Sequence, residues 1–117
     1  MIKDFVLQDY IKAITGISLN HRSDLVKLGQ VAKKLSVSTS AVSEMVKKLV
    51  KEGFVENLNY KGIRLTESGW NLGKQLIRYH RLWETFLFQT LSFSWDELHE
   101  EAEQLEHAAS AELMNRL

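Results

Sequence analysis

Cysteine and proline are both absent from the 117 residues. Without thiols the chain has no disulfides, no cysteine zinc ligands and no thiol chemistry, which suits a cytoplasmic setting. Without proline nothing forces a helix to break, which fits a mostly helical chain with short connections. No apolar run is long enough to span a membrane and no signal-peptide pattern stands at the start, so no membrane partner is expected. Phosphate-loop, dinucleotide and serine-hydrolase signatures are missing too. Net charge is zero, with 15 Lys/Arg against 15 Asp/Glu. That balance hides an asymmetry: Met1 to Thr66 holds eleven basic and six acidic residues, Glu67 to Leu117 four and nine. A basic front half suits an anionic partner, and an acidic back half suits a cation. The length allows one domain, or a small domain with an appendage.

The acidic half is concentrated in Ser94 to His107, SWDELHEEAEQLEH. Ser94 is a good N-cap, Asp96 and Glu97 suit a positive first turn, and no glycine interrupts, so the stretch predicts a helix. At about 100° per residue Trp95, Leu98, Ala102, Leu105 and Ala109 share an apolar stripe. His99, Glu103, Glu106 and His107 gather on its flank, at the edge of whatever it buries. Carboxylates and imidazoles held together there repel or pay desolvation unless a cation joins them. Two readings stand: half of a divalent-metal site, or a solvated acidic helix. Glu100 and Glu101, turned further away, read as solvated.

Taken in order, residues 4–15 predict a first helix with Phe5, Ile11 and Ile14 inward, Asp9 mid-helix, and Gly16 as its stop. Residues 17–23 read as a loop with Asn20 and His21 at its tip. A second helix over 25–35 turns Leu28, Val31, Ala32 and Leu35 inward. After Ser36-Val37-Ser38, Ser38 caps a third helix over about 39–51, whose buried stripe is Val42, Met45, Val46, Leu49 and Val50. Its opposite arc carries Ser40, Ser43, Glu44, Lys47, Lys48 and Lys51. This pair of helices matches a helix-turn-helix. Gly53 ends the third helix, residues 54–58 alternate like a strand, 59–62 supply a turn and 63–66 return. A hairpin in that position is a wing, with Lys61 and Arg64 placed to reach phosphates. Thr66 caps a long fourth helix to about residue 90, rich in apolar side chains from Trp70 to Leu87, which must pack on something; a second copy of the chain is one candidate. His80 and Glu84 lie on one face of it, four residues apart. Ser110 caps a short last helix.

The fold class expected is therefore mainly α with a small β wing: a winged helix-turn-helix domain over residues 1–70, then a helical domain over 71–117. On DYI (Asp9 to Ile11), SVSTSAVSEMVKKL, LTESG, RYHRLWETFL and HEEAEQLEHAAS, in that order, the sequence resembles the diphtheria toxin repressor family of metal-dependent transcriptional repressors, especially its manganese-responsive branch. The resemblance spans nearly the whole chain. It implies a primary metal site of Asp9, Glu103, Glu106 and His107, and an ancillary one of His80, Glu84 and His99. Iron-responsive members place sulfur ligands where this chain has Asp9 and Glu103, and two hard carboxylates there favour Mn2+, with Fe2+, Zn2+ and Co2+ able to bind in vitro. Lys12 stands where some manganese-responsive members carry a further glutamate ligand, which argues against a two-manganese arrangement built on that position. The sequence ends within the helices the family uses to dimerise, as a short form or a truncated one.

The function expected from these features is a homodimeric, cytoplasmic repressor that binds double-stranded operator DNA when loaded with metal, controls metal uptake, and is not an enzyme. Ser38, Thr39, Ser40, Ser43 and Glu44 are the candidates for base edges, with Glu44 equally able to pair with Lys47 or Lys48. Lys47, Lys48, Lys51, Lys61 and Arg64 are the candidates for phosphates. A winged-helix regulator of a small organic ligand and a carboxylate-bridged metalloenzyme are the alternatives. The first predicts indifference to chelators, and the second predicts turnover with iron or manganese and oxygen.

Overall fold

The computed structural model describes residues 4–117. They are mainly helical with one small antiparallel hairpin, and divide into two compact units, the first ending at Lys74 and the second running from Gln75 to Leu117.

The first unit opens with α1 (Phe5–His21). Asp4 caps it, its carboxylate accepting the Leu7 N–H at 3.1 Å. The helix does not stop at Gly16 as its sequence suggests. Leu7, Ile11, Ile14, Ile17 and Ser18 form one continuous buried face, and burying Ile17 offsets the roughly 1 kcal/mol that a mid-helix glycine costs. His21 accordingly lies in the last helical turn rather than at a loop tip. Phe5, expected inside, is 48% exposed, and Leu7 and Tyr10 take up the core positions.

Helix α2 (Leu28–Leu35) begins three residues later than the apolar pattern predicts, because Val26 is extended and bridges Ile63. The Val26 N–H donates to the Ile63 carbonyl at 2.8 Å, and the Ile63 N–H donates back at 2.8 Å. Ser36, in the left-handed region at φ 56°, turns the chain into α3 (Thr39–Lys51). Ser38 caps α3, its hydroxyl oxygen accepting the Ala41 N–H at 3.0 Å. Val42, Val46 and Leu49 are buried as the spacing predicts and Met45 is half-buried, but Val50 faces solvent.

The wing pairs β1 (Val55–Asn57) with β2 (Ile63–Leu65) in the register Val55–Leu65, Glu56–Arg64, Asn57–Ile63. At its tip Asn59 and Tyr60 both take positive φ, the twist that suits a tight hairpin. Gly62, at φ +126°, is irreplaceable for a second reason: a Cβ there would stand 2.6 Å from the Val26 carbonyl oxygen. Thr66 closes the unit by capping α4 (Glu67–Gln89), accepting the Gly69 N–H at 3.1 Å while donating to the Gly53 carbonyl at 2.6 Å. The first turns of α4 press against the unit so closely that a Cβ on Gly73 would overlap the Thr15 side chain. The core gathers Leu7, Ile11, Ile14, Val31, Val42, Leu49 and Ile63 with their neighbours.

The second unit holds the rest of α4, α5 (Trp95–Ala108) and α6 (Ala111–Arg116). Glu97 closes a capping box on α5: the Ser94 hydroxyl donates to its carboxylate at 2.7 Å and the Ser94 N–H at 3.2 Å. Those bonds, the hydroxyl's first, hold the Glu97 carboxyl below its ordinary range. Ser110 caps α6, accepting the Leu113 N–H at 3.1 Å. Tyr79, Trp83 and Leu87 pack with Leu98, Ala102 and Met114. Trp95, assigned to that stripe by its spacing, is instead 71% exposed and leans on Phe88, ring centroids 4.7 Å apart. It is the first residue of α5, before the stripe reaches its partners. Among the described residues no helix is long and apolar enough to cross a membrane.

Candidate metal centre

Five of the seven candidate ligands sit in the second unit on α4 and α5 beside the Trp83–Leu98–Ala102 contact, and a sixth, His107, follows at the end of α5. Leu98 and Ala102 are buried at consecutive turns of α5, and Glu106 continues that row at the next turn. It is 2% exposed, so a carboxylate occupies a core position rather than the flank its sequence spacing suggested. His80 does the same on α4 at 7% exposure. Polar groups so placed need partners, and they have each other. His80 Nδ1 donates to Glu106 Oε2 at 2.8 Å, and Glu106 Oε1 lies 3.4 Å from His107 Nε2.

The other face of His80 points at the second set. Its Nε2 lies 3.0 Å from His99 Nδ1 and 3.4 Å from Glu84 Oε2, and His99 Nδ1 lies 3.7 Å from Glu84. His99 Nε2 stands 3.6 Å from Glu103 Oε1. Two groups of donor atoms result. His80, Glu84 and His99 each offer one donor atom within 4.8 Å of the others, and so do Glu103, Glu106 and His107. Asp9 lies half-buried on α1 in the first unit.

Both groups fit a divalent cation. Ligands around an ion with bonds of about 2.1 Å stand roughly 3.0–3.4 Å apart, close to the separations in the His80–Glu84–His99 group. The donors are nitrogen and carboxylate oxygen with no sulfur, the set that suits zinc, iron and manganese rather than a thiolate-selected ion. A carboxylate on the far nitrogen of His80 also fixes its tautomer, as the partner behind a metal-binding imidazole does.

The helix-turn-helix and wing carry the remaining candidates. Thr39, Ser40, Glu44, Lys47, Lys48, Lys51 and Lys61 are exposed, and Ser43 is half-buried. The Ser38 hydroxyl oxygen is engaged as the cap of α3. Three ion pairs hold four of the charged side chains. Glu44 pairs with Lys47 at 3.1 Å, choosing between its two lysine neighbours. Lys48 bonds to the α1 cap residue Asp4, whose carboxyl is held below its ordinary range chiefly by that bond and next by the Leu7 N–H. Arg64 bonds to Glu56 across the strands at 3.0 Å, with Asp24 at 3.8 Å, and the Glu56 hydrogen bond above all raises its pKa. Sequence reasoning passed over Asp4 and the wing-tip Tyr60, which is fully exposed. Asp4 had a signal as an N-cap; Tyr60 had only its place in the turn.

Comparison with known proteins accords with both halves. Residues 6–63 match the model of the iron-dependent repressor N-terminal DNA-binding domain, and residues 66–117 that of the iron-dependent repressor metal-binding and dimerisation domain. An HTH-type transcriptional regulator of Methanocaldococcus jannaschii, itself uncharacterised, is 35% identical over 111 residues, covering 95% of this chain and 88% of its own. The structure of the manganese regulator SloR is 44% identical with a TM-score of 0.79, over 94% of this chain and 50% of that one. A manganese-dependent transcriptional repressor in complex with manganese is 39% identical with a TM-score of 0.77, again over 94% and 50%. The chain thus spans about half the length of these solved structures. A winged helix-turn-helix unit followed by a helical unit with clustered carboxylates and imidazoles, matched along nearly its whole length, belongs to the iron-dependent repressor family, whose members are metal-dependent transcriptional repressors and not enzymes.

Proposed function

We propose that the chain is a metal-activated repressor that binds double-stranded operator DNA as a homodimer in the cytoplasm, with Mn2+ as its ion and metal-uptake genes as its targets. The observation that carries the reading is the buried Glu106 carboxylate, set between His80 and His107 with two further carboxylates and a third imidazole beside it. Its primary ligands are Asp9, Glu103, Glu106 and His107, and its ancillary ligands are His80, Glu84 and His99. Similarity to a manganese regulator and to a manganese-dependent repressor supports Mn2+ over the other ions these donors accept.

Asp9, Glu103, Glu106 and His107 would hold a divalent cation, whose charge would offset that of their carboxylates. The residues of the second unit do the rest: His80 holds Glu106 in orientation, and exposed Phe88, Leu91 and Trp95 offer an apolar surface to a second copy of the chain. Two α3 helices fixed in a dimer then address half-sites about 34 Å apart or a multiple of that. Thr39 and Ser40 face base edges, with Ser43 and Glu44 behind them. Lys51 and Lys61 bind phosphates, joined by Lys47, Lys48 and Arg64 once phosphate replaces Glu44, Asp4 and Glu56 as their partners. By linkage, metal and DNA strengthen each other's binding equally.

Gel-shift titration of candidate promoter DNA tests this with Mn2+, Fe2+, Zn2+ or chelator present. Binding should appear with Mn2+, vanish with chelator, and be lost in Glu106→Ala and His107→Ala. Chelator-indifferent binding would overturn it.

A further inference from the structure

We infer that Asp4 and Glu56 are counter-anions built into the DNA-reading face, each holding a phosphate-binding cation until DNA displaces it and so limiting the affinity for DNA of any sequence; this rests on the DNA-binding reading above. Residues 1–66 contain six acidic residues, Asp4, Asp9, Asp24, Glu44, Glu52 and Glu56. Four of the six lie within 3.8 Å of Lys47, Lys48 or Arg64, which are three of the five phosphate candidates. The acids of a basic half are thus gathered onto the cations that would meet DNA.

Two of the pairs are made by the fold rather than by neighbours on one helix. Asp4 caps α1 and Lys48 lies on α3, 44 residues away. One Asp4 oxygen accepts the Leu7 N–H at 3.1 Å and the other takes the Lys48 ammonium, so the carboxylate is held still for its cation. Glu56 stands directly opposite Arg64 in the wing and meets its guanidinium at 3.0 Å, with Asp24 3.8 Å from the same group. Glu44 and Lys47, three apart on one helix and both well exposed, form the pair most screened by solvent. A carboxylate on a lysine or arginine offers what a phosphate oxygen offers, a negative acceptor in the same place. DNA must therefore exchange it, and the released carboxylate is left within a Debye length of the backbone, about 10 Å at 0.1 M salt, where like charges repel. It also draws a cation back from solution, so fewer ions are released in the net and affinity falls less steeply with salt. The helix cap itself needs no charge, since asparagine or serine serves α1 as well.

Fluorescence anisotropy of the full chain with Mn2+, against candidate promoter DNA and a scrambled duplex at several salt concentrations, tests this. Asp4→Asn, Asp4→Ser and Glu56→Gln are compared with Glu52→Gln, which removes an exposed charge from the C-cap of α3 without touching these pairs. Each of the three should bind both duplexes about 2–5-fold more tightly than Glu52→Gln does, the worth of an exposed ion pair. Their salt slopes should be steeper by up to about 0.9. In a Lys48→Met background Asp4→Asn should gain nothing over Glu52→Gln, because the cation it would free is gone. Affinities and slopes indistinguishable from those of Glu52→Gln would overturn the inference, as would weaker binding by variants that melt at the wild-type temperature. No DNA bound by wild type, or binding unchanged by Lys48→Met and Arg64→Met, would instead sink the DNA-binding reading itself.

Discussion

Replacing Glu106 by glutamine keeps the volume of a fully buried side chain and removes its charge and one candidate ligand oxygen. In metal-free protein the two effects oppose. The hydrogen bond from His80 at 2.8 Å is weakened when its acceptor becomes neutral, but a buried charge no longer needs compensation. The expected change is small, within about 1 kcal/mol. With metal the balance is one-sided. At about a hundred times its dissociation constant a cation stabilises wild type by about 2.7 kcal/mol, and each kcal/mol is worth roughly 4–8 °C in a domain of 60–100 residues, so melting should rise by about 10 °C or more. Removing even a partner that orients a metal ligand costs about 10–100-fold in affinity, so losing a ligand leaves at most about 0.4–1.4 kcal/mol of that gain. Thermal melts of wild type and Glu106→Gln, with chelator and with Mn2+, read both numbers. Equal metal-induced shifts in the two proteins would refute Glu106 as a ligand.

Lys47→Ala and Lys61→Ala should each weaken binding to every DNA sequence alike and flatten the salt slope by about 0.9, read from affinities at several salt concentrations; a change in sequence preference would count against a phosphate role. Gly73→Val should destabilise by about 1–3 kcal/mol in denaturant titration, because the new side chain drives into Thr15, and Thr15→Ala in the same chain should restore part of the loss. The Asp4 carboxyl is held low by Lys48 and the Leu7 N–H, so its contribution is present above the ordinary value of 3.8 and is lost as pH falls through the lowered one. Protection of the Leu7 amide, taken relative to its intrinsic exchange rate, should fall in that acid range and stay level across it in Asp4→Ser. Trp95→Glu, at a side chain 71% exposed, should leave the fold intact while converting dimers to monomers in sedimentation, and unchanged sedimentation would move the dimer surface elsewhere.

The helix-turn-helix and wing were legible because their signals are local. Ser38 caps where a cap residue should, Val42, Val46 and Leu49 recur at helical spacing, and Gly53 and Gly62 mark the ends of the hairpin strands. What failed was governed by distant partners. Gly16 reads as a stop only if Ile17 and Ser18 have nowhere to be buried. Residues 25–27 read as helix because the partner of Val26 stands far along the chain at Ile63. For the site, the His99–Glu103–Glu106–His107 cluster followed from spacing alone, and the pairing of His80 with Glu84 likewise. That Glu106 replaces a core residue, with His80 against it, did not: periodicity assigned Leu105 to the buried stripe, and only the packing of α4 on α5 decides between neighbours on a helix.

The bridge between Val26 and Ile63 reaches beyond the three residues it holds straight. A lone two-stranded ribbon is barely stable in water, and here a third segment moors it at Ile63, beside the turn. Residues 59–61 stand outside that mooring, so a change to the Lys61 side chain leaves the bonds of the stem in place.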